Sequence, residues 1–157
     1  MRENVENIFK KRLFSVLLLK ALGSILLILF LGVGLAPDEA QYHLWSKYID
    51  WGYYSKPPGI AWQIYLGCLF FGDTELGVRF VSVFLAMAIS YALFFYAKLS
   101  SNSSRVPFYA AVAIAFCPIG ILSSFAATTD AGFILFWTLA CAFYLREAKD
   151  GERRFWG

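Results

Sequence analysis

The sequence predicts an all-α protein: a polytopic transmembrane helix bundle of about four spans, with amphipathic juxtamembrane helices in its first outer loop. Three observations lead there. Of the 157 residues, 59% are hydrophobic, where a soluble domain usually has about 45–50%, and mean hydropathy is +0.59. The apolar residues gather into runs long enough to cross a bilayer. The lysines and arginines fall unevenly about those runs. A net charge of +3 gives no case for a nucleic-acid partner; where the charges sit is more informative.

Residues 1–12 are polar and form a cytoplasmic N-terminus, and residues 13–157 form a single membrane domain. The first span covers residues 13–35, about 35 Å at the helical rise and enough for a hydrocarbon core of about 30 Å. A cleaved signal peptide is the rival reading, because Gly34-Leu35-Ala36 is weakly like a cleavage site. The apolar region is too long for one, and Pro37 would follow the cut. Lys20 inside this span either snorkels toward the cytoplasmic side, the simpler reading, or faces other helices.

Residues 36–75 make the outer loop. Within it, residues 59–71 are apolar but too short to span, and read as an interfacial or re-entrant helix. Gly72-Asp73-Thr74-Glu75 breaks that run. Residues 76–97 form the second span, with Arg79 in its first turn, and residues 98–105 a polar hairpin. The third span covers residues 106–125, kinked at Pro118, which removes a backbone donor. Residues 131–145 form the fourth. Phe155-Trp156-Gly157 reads as the start of a further helix, so the chain is expected to be the front portion of a longer protein.

Positive charge sets the orientation. Four spans put Arg2, Lys10, Lys11, Arg12, Lys98, Arg105, Arg146, Lys149, Arg153 and Arg154 on the cytoplasmic side, and leave Lys47, Lys56 and Arg79 outside. A fifth span at residues 59–71 would reverse Lys98 and Arg105 and worsen the bias. The N-terminus is therefore expected in the cytoplasm of a plasma (inner) membrane. Asp38 and Asp130 then face the periplasmic or extracellular side. Cys68, Cys117 and Cys141 lie far apart in apolar runs, with no paired cysteine and no neighbouring histidine. They are read as small buried hydrophobes, outside any disulfide or zinc framework.

Residues 37–58 carry the densest chemistry. Asp38, three positions before Gln41, fits a helix N-cap with a capping-box partner. Glu39 beside it is one acid more than capping needs, and partial burial at a membrane edge would raise an acid's pKa toward that of a useful base. A helix running to about Asp50 would place Glu39, His43, Ser46 and Asp50 on one face and Tyr42, Trp45 and Ile49 on another, amphipathic and flat on the membrane. His43 four residues after Glu39 is half of a metal site at best. Lys56-Pro57-Pro58 holds a cation on a rigid corner, suited to a phosphate or to a lipid headgroup. Arg79, unfavourable near a helix N-terminus, calls for a partner: Asp73, Glu75 or a bound phosphate. Asp130 is a favourable first-turn acid.

The run P-D-E-A-x-Y-x-x-W-S-x-x-x-x-x-G-Y-Y-x-K-P-P over residues 37–58, followed by Arg79 and by T-x-D-A at residues 128–131, resembles the start of the dolichyl-phosphate-mannose-protein mannosyltransferase superfamily. It resembles more closely the bacterial branch of that superfamily, which includes the transferase that adds aminoarabinose to lipid A. The resemblance implies the N-terminal part of a GT-C glycosyltransferase, with a polyprenyl-phosphate-linked sugar as donor and a lipid, glycan or protein as acceptor. It implies a catalytic or metal-coordinating role for Asp38 with Glu39 beside it, a second acid at Asp130, and phosphate-binding roles for Lys56 and Arg79. No cofactor is certain, and a divalent metal is left open, with Asp38 or His43 as its ligand. Ser55 stands where some relatives carry an acid, which counts against a metal there. The competing reading is a small non-catalytic membrane subunit or an inactive truncated product, in which the acids are caps and the aromatics anchor the interface in membrane lipids.

Overall fold

The structure, a computed structural model, describes the backbone of residues 2–156 and the side chains of residues 5–151. The side chains of Arg2, Arg153 and Arg154, and all of Gly157, which entered the charge and end-of-chain readings, lie outside the described residues. The described residues form seven helices: α1 (Arg2–Leu31), α2 (Pro37–Ser46), α3 (Gly59–Phe71), α4 (Glu75–Ser100), α5 (Val106–Phe116), α6 (Pro118–Leu122) and α7 (Thr129–Trp156). Three of them contain stretches long and apolar enough to cross a membrane: Val5–Leu31, Glu75–Ser100 and Thr129–Gly151. The all-α membrane bundle expected from the sequence is what forms.

The central helix is α4, which packs against α1, α3, α5 and α7. Helix α1 runs antiparallel to it: Lys98 in the last turn of α4 pairs with Glu6, while Arg79 near the start of α4 reaches the carbonyl of Val33 beyond the end of α1. α1 stops at Leu31 and not at residue 35, because Gly32 turns to φ +56°, a conformation that costs glycine little. At the other end, α1 continues back through the polar segment to Arg2. Likewise α7 carries on through the charged end, and Phe155 and Trp156 extend it; they do not begin a new helix. Helix α3 forms over the short apolar run as expected and turns back onto α4. Gly72 at φ +66° makes the reversal, and Thr74 caps α4 by accepting from the Gly77 amide at 3.1 Å. The two helices touch backbone to backbone, since a Cβ on Gly67 would meet the Gly77 carbonyl oxygen at 2.1 Å.

The third expected span is not one helix. Pro118 has no amide hydrogen to continue the ladder, so Cys117 goes extended at ψ 159° and α5 gives way to α6. The pair nevertheless follows α1 in parallel along its length. Phe9 meets Phe108 with ring centroids 5.3 Å apart, Leu13 and Leu17 cluster with Ala111 and Ala115, and Ser24 bonds Ser124 at 3.2 Å. From residue 9 to residue 24 of α1 is about 23 Å at the helical rise, so the broken segment from Phe108 to Ser124 runs beside α1 for a length that neither α5 nor α6 covers alone. Lys20 sits at the break and donates to the Gly120 carbonyl at 2.8 Å. Its head therefore faces the bundle, correcting the snorkelling reading, because the broken helix offers a carbonyl needing a donor.

The bundle has two chemically distinct ends. One gathers Glu6, Lys10 and Lys98 in ion pairs, with Lys149 donating to the Leu99 carbonyl. The other gathers Glu39, Arg79 and the start of α7 with Asp130.

The break makes a specific demand. A Cβ on Gly120 would lie 1.8 Å from the Ile114 carbonyl oxygen, whereas one on Gly132 meets nothing within 4 Å. Gly120→Ala should therefore destabilise the detergent-solubilised protein by about 1–3 kcal/mol, read as a lowered thermal midpoint. Gly132→Ala should change it by less than about 1 kcal/mol and in the stabilising direction. Equal midpoints for the two variants would contradict the packing described.

Candidate functional site at the acidic end of the bundle

Helix α2 begins with Ala36 as N-cap and Pro37 in the first position, where a missing amide hydrogen is harmless. Glu39, three residues after the cap, reaches back and accepts from the Ala36 amide at 3.0 Å. The capping acid is therefore Glu39 and not Asp38, which corrects the Asp38–Gln41 reading. Helix α2 also ends at Ser46, short of Asp50, and the face carrying Glu39 and Ser46 is buried together with Tyr42. It docks on protein and does not float as an amphipathic helix, because Glu39 has a buried partner.

That partner is Arg79. Its Nε donates to Glu39 Oε1 at 2.9 Å and its Nη2 to Oε2 at 2.6 Å, a bidentate fork with both side chains almost wholly buried. Nη1 donates to the Val33 carbonyl and Nη2 also to that of Gly34, each at 3.1 Å, while Glu75 lies 3.6 Å from Nη1. Glu39 Oε1 further accepts from the Ala127 amide at 2.9 Å. One carboxylate thus ties the α1–α2 link, α2, α4 and the α6–α7 link together. Burial pushes the Glu39 carboxyl up, but Arg79 and the Ala127 and Ala36 amides outweigh it and hold the group below the usual range. Of the partners considered for Arg79, Glu75 is secondary and Asp73 is elsewhere. A cavity of about 340 Å³ lies beside the pair, with Leu27, Ile28 and Phe125 among its apolar walls.

Asp38, Lys56 and Asp130 are all exposed, so the partial burial expected of Asp38 falls to its neighbour. Asp130 sits in the first turn of α7. Tyr42, expected on the lipid side, is 5% exposed and packs with Ile60, Ile64, Val78 and Ala127. Burial, reinforced by the charges of Asp38 and Asp130, raises its phenol above the ordinary value, so Tyr42 lies in the field of both acids. The Lys56 corner leads into α3. Its neighbour Pro57 lines a groove of about 550 Å³ together with Thr128 and Thr129, which precede Asp130, and with Trp62, Leu85 and Phe136. The residues next to the candidate cation and next to the second candidate acid thus line one apolar groove.

Sequence reasoning missed what holds the loop. Tyr53 stacks on Trp45 at 4.9 Å, and its hydroxyl lies 3.1 Å from the Trp45 carbonyl and 2.9 Å from that of Tyr48, and accepts from the Asp50 amide at 3.1 Å. The paired tyrosines were the available signal. The cysteine reading also changes: folding sets Cys68 near His43 and Asp73, and among the described residues this is the grouping of ligand atoms tight enough for a metal; it does not include Asp38. None of the cysteines is fully buried.

Comparison with known proteins adds the family. Residues 55–157 match the family described as dolichyl-phosphate-mannose-protein mannosyltransferase. Among curated proteins, lipid A galacturonosyltransferase RgtD of Rhizobium johnstonii is 70% identical over 27 residues, which is 17% of this chain and 6% of that protein. The match thus spans a small part of that relative. No solved structure matches the chain.

The Glu39–Arg79 fork has a pH signature. A carboxyl held low in the folded state stabilises above its unfolded value, about 4.3 for glutamate, and that stability is lost as pH falls through the folded value. Glu39→Gln leaves Arg79 buried without a counter-charge, which should cost about 3–5 kcal/mol at neutral pH. The thermal midpoint in detergent should drop in the variant, and the gap to the native protein should narrow as the pH is taken well below 4; a constant gap across pH would refute the assignment.

Proposed function

The chain belongs to the dolichyl-phosphate-mannose-protein mannosyltransferase family, and from that premise we propose that it forms the acidic-end site of a membrane glycosyltransferase that uses a polyprenyl-phosphate-linked sugar. The observation that carries this reading is the convergence on one end of the bundle: Asp38 and Asp130 both act on Tyr42, and Pro57 beside Lys56 and Thr129 beside Asp130 line the same apolar groove. The relative's name supports a lipid A-type acceptor.

In this reading the groove takes the lipid chain and the bundle end takes the sugar phosphate. Asp38, exposed to the acceptor, accepts the proton of its hydroxyl. The acceptor oxygen forms a bond to the anomeric carbon as the bond from that carbon to the phosphate oxygen breaks, and the polyprenyl phosphate leaves with the electron pair, inverting the centre. Lys56 on its proline corner offsets the charge gathering on the phosphate. Asp130, next to the groove-lining Thr129, orients the sugar. Arg79, expected beside Lys56 as a phosphate cation, is committed to Glu39 and two carbonyls, so we assign Glu39 and Arg79 to positioning the start of α2. No step requires a metal at Asp38.

Two measurements test this. Asp38→Asn should lower sugar transfer from a polyprenyl-phosphate donor by about 10²–10⁴-fold while leaving the thermal midpoint unchanged, since Asp38 is exposed; native-like transfer would remove Asp38 from the mechanism. For orientation, we place the acidic end outside an inner (plasma) membrane and the N-terminus in the cytoplasm. In a background without the native cysteines, Asp50→Cys should react with an impermeant reagent in intact cells and Asn102→Cys should not. The opposite pattern would invert the topology.

A further inference from the structure

Away from the groove, three side chains from three separate segments meet at the rim of the bundle. His43 comes from the middle of α2, Cys68 from the last turns of α3, and Asp73 from the α3–α4 turn. One ligand atom of each lies within 4.8 Å of the other two, and His43 Nε2 is 3.1 Å from Asp73 Oδ1. We propose that His43, Cys68 and Asp73 bind a zinc ion that clasps α2 to the α3–α4 hairpin.

The geometry is close to what the ion needs. Ligand atoms on a tetrahedral zinc with bonds of about 2.0–2.3 Å lie roughly 3.3–3.8 Å apart. The imidazole–carboxylate edge, at 3.1 Å, is slightly shorter than that separation, and the thiol sulfur lies within 4.8 Å of both, so small side-chain adjustments bring the three atoms to it. The cluster is also held in place. Gly72 at φ +66° turns the chain so that Asp73 comes back over the end of α3, and Cys68 packs so closely on α4 that a Cβ on Gly77 would lie 3.3 Å from its Cα and 3.4 Å from its Sγ.

The donor set selects the metal. Thiolate, imidazole and carboxylate form a borderline-soft group that favours zinc over the all-oxygen ligation of magnesium or calcium. A cavity of about 240 Å³, lined by Cys68 and Asp73 together with Ser46, Lys47 and Tyr65, leaves room for water or another small ligand at the fourth position. Lys47 pairs with Asp73. Being an exposed and flexible cation it gives way to the ion, and the thiol proton passes to solvent as the thiolate binds. Thiolate and carboxylate together balance the zinc charge, so the closed site carries no net charge.

The site stands independently of the transferase reading, and its test reads metal and not turnover. The detergent-solubilised chain is stripped with a chelator and titrated with cobalt(II), a coloured stand-in for zinc. We expect a sulfur-to-cobalt charge-transfer band with the intense visible bands of tetrahedral cobalt, saturating at one ion per chain and bleached by one equivalent of zinc. Cys68→Ser should lose the charge-transfer band and fail to retain zinc through gel filtration, while Cys117→Ser and Cys141→Ser behave as native. His43→Gln supplies a second variant should Cys68→Ser misfold; it should keep the fold and lose the zinc. No band in the native chain, or a band that survives in Cys68→Ser, would overturn the proposal.

Discussion

A single buried ion pair, Glu39 with Arg79, organises the acidic end of this protein. Two charges at the edge of a bilayer are costly unless their hydrogen bonding is complete, and here it is: two nitrogens of Arg79 fork onto the carboxylate, the same group satisfies two carbonyls, and two backbone amides complete the glutamate. Remove either partner and the other is left charged in an apolar cage. The start of α2, and with it the direction of the neighbouring Asp38, depends on this arrangement.

The second constraint is the path of α5 and α6. A proline in the middle of a crossing opens the backbone ladder where water is scarce. The chain answers with side chains from α1: Lys20 supplies a donor to the Gly120 carbonyl and Ser24 bonds Ser124. Both pairs are 100 residues apart in sequence, which reflects two segments running side by side in the same direction. An intramembrane lysine that looked expensive is thereby matched to a carbonyl that would otherwise be orphaned.

Most of the fold was legible because it rests on local signals. Run length located the helices that are long and apolar enough to cross a membrane, and the short apolar run of α3 was placed where it forms. Local signals failed where a distant residue decided the outcome. Asp38 and Glu39 are adjacent and chemically alike, and nothing in the sequence says which turns inward; Arg79, many residues later, decides it. Tyr42 and Glu39 were put on opposite faces of a free helix, yet both are buried, because α2 is shorter than expected and is enclosed by α3, α4 and the start of α7. His43 and Cys68 carry no hint of each other until the α3–α4 hairpin folds back. The motif residues Lys56 and Asp130 could be named from the sequence, but the groove that their neighbours line is a product of three helices packing.

The reach of Glu39 also bears on the order in which the protein can be assembled. Its arginine partner lies 40 residues downstream and its Ala127 partner 88 residues downstream. During synthesis, α2 emerges with its acid uncompensated and can dock only loosely until α4 has entered the membrane. It is locked only when the segment before α7 arrives. The segment that carries α2 is thus among the first to be made but has its anchors far downstream, and a chain interrupted before residue 127 lacks the backbone amide that completes the bonding of Glu39.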